Sequence, residues 1–119
     1  MLLHFPDEAL GALVASRAAL ESVLGDNSIS VMLCVSLLMQ VRRFADLAGF
    51  ACLQVLPVSG HDHGMVVEVL HNGVGLQIQP IDDLGRSASE WLNHDCAQQR
   101  VAVTALVGVA LRRRTAATR

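Results

Sequence analysis

The chain contains no lysine and no tyrosine: all nine of its basic residues are arginine, and its aromatic side chains are three phenylalanines and one tryptophan. Proteins that hold single-stranded nucleic acid lay aromatic platforms along a basic groove, and this sequence supplies neither in quantity. Acidic residues outnumber basic ones, eleven to nine. A formal net charge of −2 at pH 7 and an isoelectric point near 6.2 give no overall attraction to phosphate backbones or anionic lipid. Long apolar runs are missing as well. A membrane span needs about 20 consecutive apolar residues, whereas Ile29 to Val41 is broken by Ser30, Ser36 and Gln40, and Val101 to Leu111 stops at Arg112. No membrane partner is expected. Cysteine is sparse: Cys34, Cys52 and Cys96 are odd in number and form no CxxC pair. Reduced thiols in a cytoplasmic protein fit that pattern, and MLLHFPDEAL has neither the basic start nor the long apolar stretch of a signal peptide. GxSxG, Walker, GxGxxG, HExxH and EF-hand patterns are also lacking, which removes the common hydrolase, nucleotide and calcium signatures.

What is present in excess is grease. Hydrophobic residues make up 52% of the 119 positions; with the glycines added the share is about 60%, against roughly 45–50% for an average soluble domain. Such a chain is long enough to build one core without disulfides or a structural metal. A surplus beyond that core needs a second protein surface, so a single α+β domain acting as a homodimer is expected.

The clearest local signal is MVVEVLHNGVGLQIQ, residues 65 to 79. Two β-rich runs separated by Asn72-Gly73 specify a hairpin, because a type I′ turn needs positive φ at both central residues. The pattern also sets the register. His71 should face Val74, Val69 Leu76, Val67 Ile78, and Met65 Pro80 on one apolar side. Leu70 with Gly75, Glu68 with Gln77, and Val66 with Gln79 then share the solvent side, and a slip of one residue destroys the agreement. Residues 51–58 read as a third strand, with Pro57 at an edge or end because it cannot donate to a ladder. The expected sheet is a three-stranded antiparallel meander over about 51–58, 65–71 and 74–80.

Helices should cover that meander over about 7–24, 28–48 and 88–113. Pro6, Asp7 and Glu8 suit a helix start, and Gly25-Asp26-Asn27 an end. Asn27 or Ser28 can cap the second helix, and Gly49 can close it. Its first half also alternates like a strand, so a strand over 28–35 followed by a shorter helix is the rival reading. Ser87 and Glu90 form a capping box for the last helix, while the alternating valines of VAVTALVGVAL also suit a strand. In the helical reading Val101, Ala105, Gly108, Val109 and Leu111 form a dimer or partner interface, because small residues let two backbones approach. Arg112, Arg113 and Arg114 would complement the helix C-terminus, and 115–119 should fray.

Two clusters have chemical character. In an extended HxH both imidazoles of His61 and His63 point one way and Asp62 the other, so a metal could be held with Glu68 as third ligand. The spacing resembles the first cupin motif, although its glycine is displaced and the strands are too few for that barrel. A glycine-flanked surface loop is the plainer account, and no cofactor is expected. His94, Asp95 and Cys96 place a base, an orienter and a nucleophile side by side, but neighbours on a helix diverge by about 100° and cannot form one relay. The C-terminal arginines could touch phosphates, yet helix-end charges account for them. In element order, residues 28 to 113 resemble the second half of Roadblock-type dimerisation modules, whose first hairpin has no counterpart here. Small acidic dimeric secretion chaperones are similar in size and class. The function expected is a non-catalytic homodimeric interaction or regulatory module: an adaptor, a chaperone-like protein or a small inhibitor. The alternatives are a metal-binding enzyme or sensor at His61-Asp62-His63 and a nucleic-acid regulator using the arginines.

Overall fold

A computed structural model describes residues 1–58, 66–81 and 100–108. The described chain is an α+β fold. Its elements run β1 (Leu2–His4), α1 (Glu8–Ala15), α2 (Arg17–Leu24), α3 (Asn27–Gln40), a 3₁₀ turn (Phe44–Gly49), β2 (Gln54–Val58), β3 (Val66–His71), β4 (Val74–Ile81) and β5 (Arg100–Val107). The strands form one mixed sheet in the order β1-β5-β4-β3-β2, with β1 parallel to β5 and the other pairs antiparallel.

The hairpin follows its sequence pattern. Asn72 and Gly73 take φ of 53° and 78°, and Val67 faces Ile78, Val69 faces Leu76, and His71 faces Val74. Val67, Val69, Val74, Leu76 and Ile78 lie in the main core. The opposite side is less wet than its Glu and Gln suggest. Glu68, Gln77 and Gln79 are half-buried there, and Val66, Leu70, Ile81 and Ala102 are buried outside the main core cluster. Strands β2 and β5 flank the hairpin on its two sides. The expected meander, β2-β3-β4, is therefore one end of a five-stranded mixed sheet that β5 and β1 extend.

Three expectations about helices need correction. The helix expected over 7–24 is two helices, because Ser16 sits extended at φ −116° and ψ 112° and its Oγ accepts from the Ala19 N–H as cap of α2. A short hydroxyl side chain that can bond a nearby amide competes with helix continuation. Asp7 caps α1 in the same way, accepting from Ala9 and Leu10. In the second segment the helix reading holds and the strand over 28–35 does not. The helix stops at Gln40 rather than 48, however, where Val41 turns extended and buries its side chain. The Met1 amino group donates to the carbonyls of Leu38 and Val41, satisfying acceptors that a helix end leaves open.

The third correction is the largest. The helix expected over 88–113 is a strand from Arg100 to Val107, as the competing reading had it; residues 82–99 and 109–119 lie outside those described. Val101 and Val103 are fully buried in the core, as the β-branched alternation requires. A bulge then shifts the register between Gln77 and Ile78, leaving Thr104 as the extra residue on β5. Its hydroxyl donates to the Gln77 carbonyl at 3.3 Å. The shift places Leu106 opposite Leu76, against the core, where strict alternation would have turned it outward.

Candidate functional site

The helix α3 carries both candidate sites, one on its inner side and one on its outer side. Inward, Val31, Cys34 and Leu38 are fully buried at i, i+3 and i+7, meeting Leu20 and Leu24 of α2 and the apolar side of β3 and β4. Among the described residues, the buried polar side chains are those of Ser28 and Ser30. Ser30 Oγ lies 3.0 Å from His71 Nδ1, so the helix is pinned to the end of the hairpin by a polar pair. Cys34 Sγ donates to the Val69 carbonyl at 3.5 Å.

These groups have the names of catalytic residues without the environment. Burial pushes the Cys34 thiol up to about 11, with Cys52 adding to the shift and a backbone hydrogen bond from His71 opposing it. Nucleophilic cysteines are thiolates in electropositive, accessible places, and Cys34 is neither ionised at neutral pH nor exposed. For Ser30 and His71 a relay needs a third group to orient the imidazole. Among the described residues, no three His, Cys, Asp or Glu side chains come together in a way that could hold a metal. Ser30 and His71 tie α3 to the end of the hairpin.

The expected metal ligands divide. Glu68 lies mid-strand on β3 opposite Gln77 and beside Leu56 of β2, half-buried. His61 and His63 lie outside the described residues, as do His94, Asp95, Cys96 and the terminal arginines. The expected interface also divides. Val101 is spent on the chain's own core, and Ala105 is partly buried on β5. Gly108, at φ 73°, makes its close approach within the chain: a Cβ there would sit 2.0 Å from the Gly73 carbonyl oxygen. Val109 and Leu111 are not among the described residues.

Outward, α3 presents an exposed apolar stripe. Ile29 is 66% exposed and Met39 63% exposed, and with Met32 and Ser36 they follow the 3-4-3 spacing of a helix seam. No charged residue occurs between Asn27 and Gln40. Beside this stripe an open apolar groove of about 400 Å³ runs between β1, α1 and α3, lined among others by Leu2, Phe5, Val14, Val35 and Met39. A smaller one of about 210 Å³ continues it along Val14, Met32, Val35, Ser36 and Met39. Leu2 at the rim is 44% exposed. The missed signal was legible. A 14-residue helix that is apolar on every side has more greasy surface than one sheet face can cover.

None of the described helices is long and apolar enough to cross a membrane. Comparison with protein-family models, with curated proteins and with solved structures gives no match for this chain.

Proposed function

We propose that the chain is a non-catalytic protein–protein interaction module, homodimeric, that works through the outward side of α3 and the groove beside it. The observation that carries this reading is an uncharged helix exposing Ile29 and Met39 next to an open apolar groove. Single exposed apolar residues are ordinary, whereas a contiguous apolar patch on a folded protein marks a contact surface. The inner side of α3 supports the non-catalytic part, because its serine, histidine and cysteine are used in holding the sheet. An adaptor, a chaperone-like protein and a small inhibitor all use such a surface. The free thiols of Cys34 and Cys52 suit a cytoplasmic setting.

Sedimentation at micromolar and nanomolar concentrations tests the reading, together with an apolar dye that fluoresces on exposed hydrophobic surface. The expected result is a species heavier than the 12.7 kDa chain at the higher concentration, with dye binding that appears on dilution. A chain that stays monomeric throughout and never binds the dye would remove the reading.

A further inference from the structure

We infer that the outer stripe of α3 is covered by α3 of a second copy, running antiparallel across a two-fold axis at the level of Cys34. This rests on the interaction reading and names its occupant. Charge and symmetry select this occupant. Ile29 and Met39 stand equally far along the chain from Cys34, as do Met32 and Ser36, and so do Asp26 and Arg42. In a two-fold interface whatever contact one residue makes is made again in reverse. An antiparallel pair centred on Cys34 therefore lays Ile29 of each copy beside Met39 of the other, and Met32 beside Ser36. Ile29 of the second copy reaches the mouth of the groove that Val14, Val35 and Met39 line.

The ends of the stripe decide the direction. Asp26 is exposed at the start of α3, and its side chain makes no capping hydrogen bond there. Arg42 is exposed just past the other end. In the antiparallel pair each Asp26 meets an Arg42, and each helix N-terminus lies by a helix C-terminus, so both side-chain charges and backbone dipoles attract. A parallel pair sets Asp26 against Asp26 and Arg42 against Arg42. Between these ends α3 carries no charge, so nothing in the stripe repels its own copy. Its 14 residues span about 21 Å, enough for the repeated seam to engage along its length.

The test exchanges the charges in the full chain. Asp26→Arg and Arg42→Asp each set like charges together at both ends of the pair, and each should weaken self-association about tenfold, whereas the combined variant should return to within about threefold of the parent. Met39→Glu should give a folded monomer with unchanged far-UV dichroism. A dimer whose dissociation constant ignores both single exchanges would overturn the α3 pairing and leave the interaction reading standing. A chain that is monomeric at every concentration, yet binds the apolar dye and loses that binding in Met39→Glu, would overturn the α3 pairing and the homodimeric part of the reading, leaving an apolar surface for a different protein. Absence of both association and dye binding would remove the two together.

Discussion

The inner and outer sides of α3 are built from almost the same kinds of residue and have opposite fates. Leu38 is fully buried while its neighbour Met39 is 63% exposed, and Ser30 is 9% exposed while Ile29 is 66% exposed. Side-chain chemistry alone does not separate them. What separates them is the direction in which each Cα–Cβ bond leaves the helix relative to the sheet. The outer serine, Ser36, lies open to water, whereas the inner one, Ser30, faces His71. A helix with this composition has spare apolar surface wherever it docks.

The largest effect expected from that contrast is on stability. Leu38→Ala should lower the free energy of unfolding by about 2–5 kcal/mol, measured by denaturant titration, because a buried leucine loses its transfer energy and leaves a cavity. Met39→Ala, one residue on, should change it by less than about 0.5 kcal/mol when measured on the monomer. Equal losses at the two positions would break the contrast.

Alkaline pH should act next. Cys34 is held protonated, its thiol up at about 11, so above the ordinary thiol range the folded chain keeps a proton that the unfolded chain releases. The sign follows: the contribution is complete below about pH 9 and is lost as pH rises towards 11. Compared with Cys34→Ala, the parent should therefore lose stability over that window, by up to about 2 kcal/mol. The same physics separates the two described thiols by reactivity. At pH 8 iodoacetamide should label exposed Cys52 and spare buried Cys34 until the chain is unfolded, as read by peptide mass.

Ser30→Ala should cost about 1 kcal/mol, by removing the partner of His71 Nδ1 at the end of the hairpin. Smallest of all should be Ile29→Gln. Loss of monomer stability there should fall within about 0.5 kcal/mol, while self-association weakens; a large fall in monomer stability would mean that Ile29 is covered within its own chain.

Some of this architecture was legible residue by residue. Asn72-Gly73 and the alternation around it placed the hairpin and its register, because positive φ and period-two burial are local properties of the backbone. Leu53 and Val55 turned toward the core and Gln54 outward, also as the alternation implies. Three features were hidden for reasons that lie outside any short window. β1 has only three residues and exists because β5 offers it an edge. Ser16 interrupts a good amphipathic pattern through one hydroxyl, and β5 has small and apolar residues that serve a helix as well as a strand. The candidate surface was half legible: the surplus of apolar residues implied an exposed apolar face, expected over 101–111, whereas the exposed apolar stripe among the described residues lies on α3.

Local chemistry in the sequence determined the hairpin, its turn, the caps at Asp7 and Gly25, and an apolar content greater than one core requires. Only the tertiary structure decided that β5 joins the sheet between β1 and β4, and which side of α3 is left uncovered. The reason is physical. A helix whose hydrophobic residues point in all directions carries no internal statement of which side is inside, and that choice is made by the sheet that packs against it.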